Sequence, residues 1–264
     1  MTWVDTALAP LEYVLSFVLV TAHAGLVAVG SPPASGATWA ASIAVLVLVV
    51  RAALLPLVVR QLRWSRRLAA AEPTLQEIRD RHRGAQDQEA LFRLRAETRQ
   101  AYADAGAGPL GCLPLLLQAP VLFSLFRLLN AVARGHAVGA LGPAIVAQID
   151  GATLAGASLT QTLVAGGPAA VFATVLTLVM AGTLWLAQHQ QLTRNTAPAS
   201  LEGPTGAAAG LVRWVLPAVA MLSGLTLPIG MLVYLACTNT LSLVQQLAVI
   251  RWLPTPGSPA AARS

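Results

Sequence analysis

The chain has 264 residues, 56% of them hydrophobic and only 11% charged, with a net charge of +6 and a mean hydropathy of +0.65. A soluble domain of this length carries roughly a quarter charged residues, so an excess of apolar side chains this large needs an apolar solvent and excludes an ordinary soluble globule. All 17 basic residues are arginines; they cluster beside apolar stretches rather than on one soluble face, which positive-inside membrane topology explains better than nucleic-acid binding.

In chain order, the first residues carry Asp5 and Glu12 but no basic residue ahead of the apolar run. A secretory leader needs a positive start, so residues 1–264 read as the whole mature chain. Residues 8–29 are apolar, bounded by Pro10 and by Gly30-Ser31-Pro32-Pro33. They are long enough to cross a bilayer, and they also suit an interfacial helix with Glu12 and His23 facing head groups. Both placements stay open, and residues 1–38 form an N-terminal part ahead of the core.

Residues 39–60 are the first clear span, interrupted only by Arg51. The hydrophilic stretch 61–107 follows, with ten arginines from Arg60 to Arg99 and seven acids from Glu72 to Asp104. Leu68, Leu75 and Ile78 form one stripe at helical spacing, and Leu91, Leu94, Thr98 and Tyr102 form another. Pro73 suits a first helical turn and Gly84 a stop, so the stretch reads as an antiparallel helical hairpin. Further spans are expected at about 109–133, 167–188, 207–226 and 228–250, the last two divided by Gly224, Pro228 and Gly230. The fold class is therefore an all-α membrane protein: a five-helix core over 39–251, a charged hairpin, an additional N-terminal apolar helix and a short tail at 252–264. The 189–213 loop shows no stripe and reads as mobile. No internal repeat supports an inverted-repeat transporter.

Counting arginines sets the orientation. The connections near 30–38 and 134–165 hold none and one, whereas the hairpin, the 189–213 loop and the tail hold nearly all the rest. Those three are expected in the cytoplasm of a bacterial cell whose plasma membrane the chain crosses several times.

Arg51 falls twelve residues after Trp39, about 18 Å into its helix and near the bilayer midplane. An arginine there costs about 2.5–3.5 kcal/mol on insertion scales and must face protein or water rather than lipid. No acidic residue lies in any other core span, so no buried salt-bridge partner is expected and a hydrated groove is favoured over an arginine that merely pairs with polar groups between helices to hold the bundle. Gln118, Thr238, Asn239, Ser242, Gln245 and Gln246 are polar groups able to line it; spacings of three and four put Thr238, Ser242 and Gln245 on one helical face. Cys112 and Cys237 have neither disulfide nor metal spacing, and His23, His82, His136 and His189 are scattered. No HExxH, GxSxG or Walker A pattern and no pair of intramembrane carboxylates occurs. Neither a cofactor nor a metal site nor an enzyme reaction is expected.

Four stretches then resemble the YidC/Oxa1/Alb3 family of membrane-protein insertases. They are Trp39 to Gln61 with central Arg51 and Leu55-Pro56-Leu57; Glu72-Pro73 with Ile78, Arg79, His82 and Arg83; Pro109 to Pro114 with Gln118-Ala119-Pro120-Val121 and Leu125-Phe126; and Leu227-Pro228-Ile229-Gly230 with Tyr234, Asn239 and Gln245-Gln246. The resemblance implies a five-helix core around a hydrophilic groove open to cytosol and lipid, with Arg51 as the groove arginine attracting acidic or polar parts of a substrate. It implies nascent membrane proteins and the lipid bilayer as partners, without sequence-specific nucleic-acid binding or nucleotide hydrolysis. The hairpin, through Arg66, Arg67, Glu72, Pro73, Arg79 and Arg83, would meet incoming chains, the ribosome or a Sec translocon. Leu235 and Leu241 stand where many relatives have tryptophan, Gly108 replaces a common asparagine, and the long basic tail and large periplasmic domain of some relatives are absent; with the arginine-only composition, this points to an actinobacterial-type short form. Two other function classes compete: a small-anion channel or carrier using Arg51, and an assembly factor that holds partner subunits without inserting them.

Overall fold

The computed structural model describes residues 3–84, 87–106, 113–201 and 203–263, with the side chains of 8–84, 87–106, 119–198, 201 and 206–263. The elements, in order, are α1 (Trp3–Ala28), α2 (Gly36–Ala70), α3 (Glu72–Arg81), α4 (Gln88–Asp104), α5 (Leu113–Ala133), α6 (Pro143–Gly151), β1 (Thr153–Leu154), β2 (Ala157–Ser158), α7 (Gly167–Arg194), α8 (Gly203–Ser223) and α9 (Ile229–Trp252). Within the described residues, Leu8–Ala28, Gly36–Ala70, Gly167–Arg194, Gly206–Ser223 and Ile229–Trp252 are long and apolar enough to cross a membrane, and Ala119–Ala133 is a shorter apolar helix. This is an all-α membrane protein.

The helices distribute over two compact units. The first holds residues 1–53, 117–187 and 213–244. Its core is a set of fully buried side chains, among them Trp39, Leu46, Leu125, Leu128, Ile229, Leu232 and Tyr234. Apolar residues left outside, such as Val171, Val175, Leu178, Val219 and Leu222, are what lipid solvates. Small residues set the closest approaches: a Cβ on Gly224 would stand 2.2 Å from Thr177 Oγ1, so the α8–α9 turn packs against α7 only because that position is glycine.

The segment 134–165 is not a bare connection. It folds into α6 and the β1–β2 pair, with Thr153 opposite Ser158, and it buries Leu141, Val146, Ile149, Ala152, Ala157 and Leu159. It also ends α9: Ile229 N–H donates to Gln161 O and Gly230 N–H to Leu159 O, both at 2.8 Å, satisfying two amides that a helix start leaves unpaired. Gly36 lies so close to β1 that a Cβ there would be 2.4 Å from the Thr153 carbonyl carbon.

Helix α1 packs into this unit, and Glu12 and His23 do not face outward as the interfacial alternative for residues 8–29 had them. Glu12 and His23 are buried, at 7% and 8% exposure. Arg127 Nε donates to Glu12 Oε1 at 2.6 Å. His23 stacks on Trp39 with ring centroids 3.7 Å apart, and its Nδ1 lies 3.4 Å from Ser42 Oγ. A charged carboxylate leaves water when a guanidinium replaces the hydrogen bonds it gives up.

The second unit holds residues 54–116, 188–212 and 245–264. Here α2 continues to Ala70, so Leu68, Arg66 and Arg67 belong to α2 and not to a separate hairpin helix. Helix α3 starts with Pro73 in its first turn and buries Leu75 and Ile78. Gly84, at φ +87°, takes the left-handed conformation after α3 that an L side chain resists. Helix α4 buries none of its residues fully, and Leu91 is exposed. The α3–α4 pair is tied by Arg81 NH1 to Glu97 Oε2 at 3.2 Å, with His82 Nε2 3.6 Å from Glu97 Oε1.

The reading of 189–213 as a mobile loop is corrected as well. Residues 189–194 complete α7 and 203–213 open α8, which leaves only 195–202 between helices. Polar and small residues masked the helical continuation, because neither end needs a buried stripe once it projects beyond the apolar core.

Candidate functional site

The site begins with Arg51, fifteen residues after Gly36 and so about 22 Å along α2. Its NH2 group donates to Thr238 O at 3.0 Å and to Ser242 Oγ. Ser242 Oγ in turn donates to Thr238 O at 2.8 Å, the back-bond a hydroxyl makes one turn down its own helix. Thr238 and Ser242 are four residues apart, so one face of α9 offers both acceptors to one guanidinium. No carboxylate pairs with Arg51 among the described residues; the described ion pairs lie at Glu12 and in the α3–α4 region. Thr238 Oγ1 is buried and has no hydrogen-bond partner among the described residues.

The other residues singled out by sequence divide. Asn239 follows Thr238 on α9 and is half-buried. Gln245 is three residues beyond Ser242 on the same helix, also half-buried. Gln246 Nε2 contacts Gln191 Oε1 of α7 at 3.3 Å. Gln118 falls in α5, but its side chain lies outside the described residues, as do Pro109 and Cys112. Among the hairpin residues, Arg79 NH1 pairs with Glu72 Oε1 at 2.9 Å and Arg83 NH2 with Asp80 Oδ1 at 3.0 Å, so neighbouring carboxylates neutralise both. Pro73 is exposed, and Arg66 is half-buried on α2. Arg67 lines an open cleft of about 630 Å³ together with Ile78, Arg81, Glu97, Gln100 and Asp104.

Sequence reasoning missed the Glu12–Arg127 pair. The signal was present: Glu12 and Arg127 are opposite charges set within apolar stretches, where a partner of opposite sign lowers the cost of burial. No group of three or more potential metal ligands is found among the described residues.

The family model described as 60Kd inner membrane protein matches residues 32–256. A membrane protein insertase YidC of Bifidobacterium longum is 33% identical over 97% of this chain and 78% of its own length. Proteins of the same name from Streptomyces avermitilis and Tropheryma whipplei are each 29% identical, over 86% and 97% of this chain and 55% and 87% of their own lengths. With its apolar helices and a match over residues 32–256, the chain belongs to the 60Kd inner membrane protein family, the YidC/Oxa1 family of membrane proteins.

Proposed function

We propose that this chain is a membrane protein insertase that carries polar segments of its clients past the bilayer core through a hydrophilic groove at Arg51, without hydrolysing a nucleotide. The observation that carries the reading is an arginine deep in an apolar helix whose described hydrogen-bond partners are a carbonyl and a hydroxyl, with no carboxylate among the described residues. Its full positive charge is left for a ligand, and the unpartnered Thr238 hydroxyl beside it offers a further polar contact. The insertase names of the relatives support the same reading.

The mechanism follows from solvation. A client's acidic or polar flank would enter the groove, where Arg51 and the polar face of α9 replace part of the water it loses. Its apolar helix would then leave along α7 and α9 into lipid, driven by burial from water. Clients are nascent membrane proteins, and the α3–α4 hairpin meets them, the ribosome or a translocon on the cytoplasmic side.

Arginine distribution supports a cytoplasmic side for the hairpin, the 189–213 stretch and the tail. Within the first unit, helix α1 lies across the end at which α5 stops and α2 starts, instead of spanning. Glu12 to His23 covers about 16 Å of helix. Yet their partners are Arg127, six residues before the end of α5, and Trp39 and Ser42, three and six residues after the start of α2. Between them, Ser16 Oγ accepts from Ala140 N–H at 2.9 Å, in the segment that joins α5 to α6. A helix crossing beside α2 would move about 16 Å deeper over that stretch; α1 stays at one level.

The test is depletion followed by complementation. Loss of the protein should leave small clients with short acidic translocated tails uninserted, and wild-type chain should restore them. Normal insertion of every client after depletion would overturn the proposal.

A further inference from the structure

At the end of α7 the C-terminal tail is seated, not free. Thr255 N–H donates to Asn195 Oδ1 at 2.9 Å, and Ala260 N–H donates to Arg194 O at 2.9 Å. Asn195 and Ser258 are buried by this return, and Gly257 turns the tail at φ +75°. The result is an open cleft of about 560 Å³ whose lining includes Arg194, Arg251, Arg263 and Thr193, with Ile250 and Pro259 as its apolar wall. Among the described residues, no carboxylate lines it.

The ends of two helices account for two of these arginines singly, since cations favour a helix C-terminus. They do not account for the third, which only the folded tail brings in, or for three arginines that line one cavity with no acid among its described lining residues. Three exposed cations around one cavity raise its affinity for an anion. Arg194 and Arg251 close the apolar helices α7 and α9, which puts the cleft at head-group level, with Ile250 on the hydrocarbon side.

We propose that this cleft binds the head group of an anionic phospholipid, its phosphate held by Arg194, Arg251 and Arg263 and its glycerol and first acyl carbons against Ile250 and Pro259. Basic pockets between the ends of membrane helices recognise such head groups by charge and shape. The site is independent of the insertase reading, because it needs only the membrane and the folded tail.

Native mass spectrometry of the full chain, offered phosphatidylglycerol or phosphatidylcholine with identical acyl chains, tests it. Wild type should retain phosphatidylglycerol at least about tenfold more tightly. The triple variant Arg194→Gln, Arg251→Gln, Arg263→Gln should lose that preference while the triple Lys variant keeps most of it. Asn195→Ala, which retains all three arginines but releases the tail, should lower the preference too. Equal retention of both lipids by wild type, or an unchanged preference in the triple Gln variant with thermal unfolding like wild type, overturns the assignment. Displacement of phosphatidylglycerol by millimolar inorganic phosphate overturns the lipid as the ligand. So does binding of a short RNA that the triple Gln change abolishes while lipid preference stays unchanged.

Discussion

Arg51 carries a cost of about 2.5–3.5 kcal/mol by depth alone, and two hydrogen bonds to α9 recover only part of it. A structural clamp could use an asparagine or glutamine for that purpose; a full charge without a described carboxylate is suited to attracting one from a client. Arg51→Ala should slow insertion of clients with acidic translocated segments by about tenfold, equivalent to about 1.4 kcal/mol, and Arg51→Lys should retain most of the rate. Clients with neutral translocated segments should be little affected, which a parallel insertion assay reads directly. Glu12 presents the opposite case, a charge already satisfied. Glu12→Gln should lower stability by about 1–3 kcal/mol by leaving Arg127 half-desolvated beside a neutral amide. Thermal unfolding in detergent measures it, and removing both charges should recover part of the loss.

Among elements, the folded 134–165 segment was the least legible from sequence. It has no charge run and no long stripe, and it is stabilised by contacts with distant residues such as Ser16, Gly36 and Gly230 that local pattern does not encode. The apolar spans were legible because hydrocarbon thickness dictates their length, and Thr238 with Ser242 because helical spacing dictates a shared face. The extension of α2 to Ala70 was hidden, since charge was taken to end a helix when it ends only the part that lipid surrounds. Two glycines test the packed segment. Gly36→Val would force a side chain into the Thr153 carbonyl. Gly139→Ala would place a methyl 2.3 Å from Ser16 Oγ at a position with φ +58°. Both should expose residues 134–165 to added protease at temperatures where wild type resists, with a loss of about 1–3 kcal/mol in stability.

For the whole molecule, the account requires one orientation. With Cys112 and Cys237 replaced by alanine, an impermeant thiol reagent applied outside intact cells should label Ala137→Cys. It should label Ala262→Cys only after the membrane is opened. The reverse pattern would put the tail cleft and the hairpin on the wrong side for nascent chains. A small-anion channel would pass solute through purified protein in liposomes, and an assembly factor would touch only finished subunits.

The most direct measurement is site-specific photo-crosslinking from position 239, beside Thr238, during synthesis of a client with an acidic translocated tail in native membranes without added nucleotide beyond that needed for translation. The groove account predicts crosslinks to the nascent chain that fade on release and fall sharply in Arg51→Ala. Crosslinks confined to mature, assembled proteins, or none to nascent chains in a protein that is correctly folded, would contradict it.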